Sequence, residues 1–318
     1  VVQPLVAGAP SIALLDFPAH SNVGDSAIWL GCLQLLREMD VPEPCYSCDT
    51  ESYDRDTLAR RLGRGTILFT GGGSFGDLWE RHLHFRERVV ADFPDNDIVQ
   101  LPQSVYFRNV QSLDRARATF DKHPRLTILA RDAASLDTVR REFRAPSFLA
   151  PDAAFGLGAL PNGLKPHLDV LWLKRRDLED RWMGAVPSGD AAVVDWTSEP
   201  RSAGVVLSRT LSRLYGSHPA LARLTGRLLE ASYRRIARER LSRGVTLLQS
   251  ARVVVTDRLH GHILALLLGI PHVILDNSYG KVHHFAREWT SESPLVHFAS
   301  TPAQAASIAR SLAADRAP

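Results

Sequence analysis

Sulfur is scarce in this sequence, and so are long hydrophobic stretches. Three cysteines and two methionines in 318 residues cannot build a disulfide scaffold. Cys45 and Cys48 form a lone C-x-x-C pair with no second Cys/His pair at metal spacing, and they read as reduced thiols in a strand. The longest apolar run, Ile263 to Ile270, falls far short of the ~20 residues of a membrane span. Val1 to Pro10 has no basic stretch followed by an apolar one, so no secretory signal is expected and the expected location is the cytoplasm. There is no Gly-Lys-Ser/Thr phosphate loop, no G-x-G-x-x-G fingerprint and no G-x-S-x-G nucleophile motif. A net charge of +3 with a pI near 8.9 is too balanced to imply a nucleic-acid partner, and none is expected.

What remains is the composition of a globular α/β protein. Apolar residues make up 45% and charged residues 23%, and the 21 glycines and 19 prolines are scattered rather than clustered. The length suits two ordinary domains. Short β-rich runs alternate with helical patterns, which is the signature of a parallel sheet covered by helices. Ile12–Leu15, Thr66–Phe69, Ile98–Leu101 and Leu126–Leu129 read as strands. Helices are expected over about Ser26–Met39 and Arg81–Val90, and from an Asp132 cap to Phe143. The pattern stops at Leu149–Asp152, and Gly156–Lys165 is rich in Gly and Pro. It restarts with strands Asp169–Leu173, Ala191–Val194 and Arg252–Val255, helix His260–Leu268 and strand His272–Leu275. The expected architecture is two Rossmann-like domains, 1–155 and 165–300, facing a cleft, with a C-terminal helix over 301–318.

In such sheets ligands sit beyond the carboxyl ends of the strands, so the strand-end loops are where chemistry is sought. The first is His20-Ser21-Asn22-Val23-Gly24-Asp25-Ser26, leading into a helix whose free N–H groups suit an anion or sugar hydroxyls; the ordinary alternative is a cap by Asp25 or Ser26. Gly71-Gly72-Gly73-Ser74 reads as a loop where a ligand can approach the backbone closely, with His82 just beyond. Gln103 and Ser104 are hydrogen-bonding candidates for a polyol. Arg131 is either an anion fork or the partner of Asp132 or Asp152. The strongest segment is Thr256-Asp257-Arg258-Leu259-His260-Gly261-His262, which puts a cation and a potential acid or base where a helix begins. Asn277, Tyr279 and Lys281 add to the rim of the next strand. His283-His284 and His82/His84 lack a supporting carboxylate or cysteine pattern, so no metal is expected.

One segment stands apart. Residues 201–243 hold ten arginines, no lysine and two acids, a local charge of +8 against −5 for the rest, with leucines at helical spacing. It suits a membrane surface or a polyanion, and equally a solvated face over an ordinary core.

Together the motifs resemble the polysaccharide pyruvyl transferase family. The likeness lies in Asn22-Val23-Gly24-Asp25, in Gly71-Gly72-Gly73 continuing through Phe75-Gly76-Asp77-Leu78-Trp79 to His82, in Leu101-Pro102-Gln103-Ser104, in Arg131-Asp132, and in Asp257-Arg258-Leu259-His260-Gly261. The resemblance implies a fold similar to two-domain B-type glycosyltransferases. It implies transfer of pyruvate from phosphoenolpyruvate, as co-substrate and without an organic cofactor, to a saccharide that can be lipid-linked, giving a cyclic ketal and phosphate. Donor binding is carried to Arg131, Arg258, Leu259 and His260 and catalysis to Arg258, His260 and His82, with the acceptor side in the N-terminal domain and the donor anion site in the C-terminal one. Substrate contacts are expected at Asn22, Gly24, Asp25, Gly72, Gly73, Ser74, Gln103, Ser104, Asn277, Tyr279 and Lys281. The competing readings are a B-type glycosyltransferase using a nucleotide sugar, and a glycan-binding protein without catalysis. A peripheral membrane contact through 201–243, at the inner face of the membrane, is the remaining expectation.

Overall fold

The structure, a computed structural model, describes residues 1–177, 180–182, 192–198, 203–217, 219–278 and 280–315, with backbone alone at 203, 214–217 and 219–225. Tyr279, Arg201 and the other omitted positions lie outside the described residues. In chain order the elements begin with helix α1 (Val2–Val6), strand β1 (Ile12–Leu15), α2 (Val23–Glu38), β2 (Tyr46–Cys48), α3 (Arg55–Leu62), β3 (Thr66–Phe69) and β4 (Gly72–Gly76). They continue with α4 (Glu80–Asp92), β5 (Ile98–Tyr106), α5 (Val110–Phe120), β6 (Leu126–Ala130), α6 (Ala133–Glu142) and β7 (Ser147–Leu149). The remainder is β8 (Leu168–Leu173), β9 (Ala192–Val194), α7 (Ala203–Ser217), α8 (Pro219–Gln249), β10 (Ala251–Thr256), α9 (Leu259–Leu267), β11 (His272–Ile274), α10 (Lys281–Trp289), β12 (Val296–Phe298) and α11 (Pro302–Ala314). Single-turn 3-10 segments follow β4 and β7.

The chain divides into two compact units. The first contains 1–20, 28–156 and 200–238, and the second 21–27, 157–199 and 239–318. Residues 200–238, which fall by number within the expected 165–300 domain, pack with the first unit, and 21–27, within the expected 1–155 domain, pack with the second.

The first unit is built on a seven-stranded parallel sheet in the order β2-β1-β3-β5-β6-β7, with β4 also on β5. β1 and β3 are buried along their whole length, which is why they read as unbroken apolar runs rather than alternating ones. Leu15, Ile67, Phe69, Phe75, Phe85 and Ile128 belong to one hydrophobic cluster, with Phe75 stacked on Phe120. Asp132 caps α6 by accepting the Ser135 N–H, as expected.

Two segments expected to be loops are strand. Gly72–Gly76 runs parallel to the far half of β5, in line with β3, which pairs with the near half. β5 is nine residues long and takes in Pro102, Gln103 and Ser104. Glycine weakens a strand and proline removes a donor, so local propensity argues for a loop; pairing with a buried neighbour overrides it. Gly76 has φ 144°, and a Cβ there would stand 1.8 Å from the Tyr106 carbonyl oxygen, so the close approach of these two strands requires glycine.

The second unit has a five-stranded parallel sheet in the order β12-β11-β10-β8-β9. Trp172, Val253, Val255 and Val273 pack against Ala305, Ala306, Ala309 and Ala313 of α11, whose small side chains let the helix lie close to the sheet. The strand order reverses between β1 and β3 in the first unit and between β8 and β10 in the second. The loops leaving these four strands are the places such sheets offer to ligands. Among the described residues no helix is long and apolar enough to cross a membrane.

Candidate active site

In the second unit, the loop after β10 carries Asp257 and Arg258, and the loops after β8 and β9 carry Arg175, Asp177 and Asp195. Arg258 is 3% exposed; its Nη2 reaches both oxygens of Asp195 at 2.7 and 2.8 Å and lies 3.5 Å from Asp177. Its Nε is buried with no hydrogen-bond partner among the described residues. A buried donor on a charged group costs free energy when unsatisfied, so its presence at a strand end marks a place made for an acceptor. Arg258 also holds the N-cap position of the nine-residue helix α9 and makes no side-chain cap bond.

Leu259 and His260 form the first turn of α9 and are both buried. Gly24 packs directly on the His260 ring: a Cβ at that position would lie 2.3 Å from His260 Nδ1. The glycine of the first motif is thus needed because the imidazole of the last one occupies its side-chain space. The cap of α2 differs from the expected Asp25 or Ser26. The helix starts three residues earlier, Asn22 Oδ1 accepts the Gly24 N–H at 3.2 Å, and Asn22 Nδ2 donates to Asp25 at 2.7 Å.

Asp257 accepts the Arg175 N–H at 2.8 Å through Oδ1, while its Oδ2 is buried without a partner among the described residues. Burial pushes its carboxyl up to about 6, against the lowering effect of the Arg175 N–H and of the Arg175 and Arg258 charges. A buried carboxylate beside a buried guanidinium, each with an unused atom, is the kind of perturbed pair found at functional sites. Asn277 and Lys281 lie in the loop after β11, where Asn277 Oδ1 accepts the Lys281 N–H at 3.0 Å and helps start α10.

In the first unit the loop after β1 opens on Asp16, a buried carboxylate with φ 70°, a conformation uncommon for a residue with a Cβ. Asp16 takes His82 Nδ1 at 2.7 Å and Arg86 Nη2 at 2.9 Å. Burial works to raise the Asp16 carboxyl, but the charges of His82 and Arg86 outweigh it and hold it below its ordinary value. His82 is partly exposed, so a carboxylate fixes one ring nitrogen while the ring remains within reach of solvent.

Other candidates of the first unit are engaged internally. Ser74 accepts Arg86 Nη2 through Oγ, and its N–H donates to Gln103 Oε1 at 3.0 Å. Gln103 is fully buried and donates to the Thr70 carbonyl. Ser104 Oγ bridges Arg131 Nε and Asp132. Arg131, 1% exposed, pairs with Asp152 at 2.7 Å, the second of the two alternatives for this residue. Gly72 and Gly73 are strand backbone. Among the described residues no group of three or more histidine, cysteine, aspartate or glutamate side chains is placed to hold a metal, and Cys32, Cys45 and Cys48 are free.

Sequence reasoning passed over Asp16, Asp177 and Asp195, and gave Asp257 no role although it lies in the strongest segment. Each lies within four residues of a strand's carboxyl end, the position that singled out Arg131 and Arg258, so the rule that found the cations also points to the acids.

Comparison with known proteins gives the family. Residues 22–279 match the model of the family described as polysaccharide pyruvyl transferase. Pyruvyl transferase 1 of Schizosaccharomyces pombe is 32% identical over 294 residues, covering 89% of this chain and 70% of that one. EpsO of Bacillus subtilis is 31% identical over 291 residues, covering 89% and 86%. A crystal structure of an uncharacterized protein from Klebsiella pneumoniae shares the fold with a TM-score of 0.58 at 17% identity, covering 94% of this chain and 96% of that one. The strand-end motifs and a family match that begins at Asn22 and ends at Tyr279 give one conclusion: the chain belongs to the polysaccharide pyruvyl transferase family.

Proposed function

We propose that this protein transfers the pyruvyl group of phosphoenolpyruvate to two hydroxyls of a saccharide, forming a pyruvate ketal and releasing phosphate. Family membership supports pyruvyl transfer to a polysaccharide. The observation that carries the donor assignment is Arg258, a buried guanidinium at the start of α9 whose Nε has no partner among the described residues. A guanidinium and a helix N-terminus are the two groups that most favour an oxyanion, and phosphoenolpyruvate offers a phosphate and a carboxylate. The Asp195 contact then keeps Arg258 oriented, while Nε and the α9 N–H groups meet the donor.

The chemistry balances without a further reagent. A proton added to the methylene carbon makes the neighbouring carbon oxocarbenium-like, and a sugar hydroxyl attacks it and loses its proton. The C–O bond to phosphate then breaks, and the second hydroxyl attacks the same carbon and loses its proton in turn. Two hydroxyl protons are released; one balances the new methyl group and the other the departing phosphate. His260, in the first turn of α9, is assigned the proton delivered to the methylene carbon or leaving phosphate. His82, steadied by Asp16, is assigned the hydroxyl proton; such assistance is typically worth ~10²–10⁴ in rate. Arg131 is retained as a donor cation on the family resemblance.

The test is phosphate release from phosphoenolpyruvate against a panel of galactosides, mannosides and glucosides. Acceptor-dependent release, with Arg258→Ala at least a hundredfold slower, is the expected result. Calorimetry showing no binding of phosphoenolpyruvate to the wild type, or equal binding to Arg258→Ala, overturns the donor assignment.

A further inference from the structure

Helices α7 and α8 carry a surface that pyruvyl transfer does not use. Both are anchored on the same aspartate of the first unit. Ser212 of α7 donates to the Asp49 carboxylate at 2.8 Å; Tyr233 of α8 accepts the Asp49 N–H at 3.3 Å and meets Ser52 Oγ at 2.8 Å. Their inner faces are therefore set: Val205, Ser208 and Ser212 are buried on α7, and Leu229, Tyr233 and Ile236 on α8.

At 100° per residue the opposite faces follow from these positions. On α7 that face holds Val206, Leu207 and Thr210 with Arg213 at its edge, and on α8 it holds Arg227, Leu228, Arg235 and Arg238 with Glu239 in line with Leu228, all exposed. The three aliphatic side chains are 53, 56 and 64% exposed. Glu230, the only acid between 203 and 238, lies off this face and pairs with Arg61 at 2.7 Å. The outer face is thus aliphatic and predominantly cationic, with Glu239 the one acid on it among the described residues.

We infer that the outer face of α7 and α8 docks on an anionic membrane surface, its aliphatic side chains entering the interfacial layer and its arginines meeting lipid phosphates. Charge complementarity and exposed aliphatic area together select this partner. A soluble polyanion satisfies the arginines but gives Val206, Leu207 and Leu228 nothing to bury against. The inference stands apart from the identity of the donor and needs none of the residues assigned to the chemistry.

Co-sedimentation of the full chain with vesicles tests it. One set is phosphatidylcholine alone, and the other has about a third replaced by phosphatidylglycerol. The expected result is partition into the anionic pellet at low salt and release at high salt, because each arginine near such a surface is worth roughly fivefold in partition at low ionic strength. Replacing Arg227 and Arg238 by glutamine should weaken binding by roughly 25-fold on the same scale. The triple replacement Val206→Ser, Leu207→Ser, Leu228→Ser should abolish it, with an unchanged melting temperature reporting an intact fold. Failure to pellet with anionic vesicles, equal pelleting with neutral ones, or full retention by the triple-serine variant each overturns the inference. So does equally tight binding to dextran sulfate that the serine variant keeps, since that surface reads charge alone.

Discussion

Asp16 is where backbone strain, burial and chemistry meet in one residue. A positive φ on a residue with a Cβ costs about 1 kcal/mol or more, and a buried carboxylate costs further unless paired. The pairing with His82 and Arg86 compensates, and it also fixes which nitrogen of His82 faces the carboxylate. Asn tolerates the same backbone, so Asp16→Asn isolates the charge. It leaves Arg86 buried without its carboxylate, though still bonded to Gln100 and Ser74, and stability should fall by about 1–3 kcal/mol in urea denaturation. If Asp16 positions His82, kcat should fall at least about tenfold while KM for the donor stays within about twofold, measured well below the variant's melting temperature. Wild-type kcat with reduced stability would make the cluster a purely architectural one.

At the level of the element, legibility followed burial. β1, β3 and β10 lie in the interior of parallel sheets, so their apolar runs announced them, and the turn from β10 into α9 with Arg258 and His260 could be placed from the same pattern. β4 was not legible, because three glycines in sequence carry no strand signal; what makes Gly72–Gly76 a strand is the half of β5 that β3 leaves unpaired. The same long-range pairing explains Gln103 and Ser104. They look like polar loop residues, yet they sit in β5 with their side chains spent on Thr70, Ser74, Arg131 and Asp132. Gly76→Ala tests this account, since its Cβ would meet a backbone carbonyl that cannot rotate away. The expected loss is about 2–4 kcal/mol in urea denaturation, above the ~1 kcal/mol of an ordinary Gly→Ala at positive φ. A loss below about 1 kcal/mol would mean that β4 is held loosely on β5.

At the scale of the molecule, the division into units was the least legible feature. Residues 21–27 pack with the second unit and 200–238 with the first, and no linker composition signals such exchange. Within the second unit lie buried groups whose shifts work in opposite directions with pH. His262 Nδ1 meets His272 Nε2 at 2.7 Å, and burial holds both imidazoles neutral, His272 down to about 4 and His262 well below its ordinary value. Their folded values lie below the unfolded 6.5, so their contribution is complete above pH 6.5 and is lost as pH falls through that window; for His272 alone this amounts to about 3 kcal/mol. Asp257 runs the other way. Its folded value near 6 lies above the unfolded 3.8, so the folded state holds a proton that the unfolded chain has released, and stability falls by roughly 3 kcal/mol as pH rises from 3.8 to 6. Between pH 6 and 4 the aspartate therefore offsets much of what one histidine loses. Asp257→Asn removes that offset: the Arg175 N–H keeps an acceptor in the amide oxygen, and no charge is buried at neutral pH. The variant should be more stable than the wild type at pH 7.5 by about 1–3 kcal/mol, after the cost of burying an amide N–H₂. Its advantage should vanish towards pH 4, and its own acid unfolding should be steeper, as read by urea midpoints across that range. An Asn variant less stable than wild type at pH 7.5, or a difference that does not change with pH, would show that the Asp257 carboxylate is stabilised in the fold rather than strained beside Arg258.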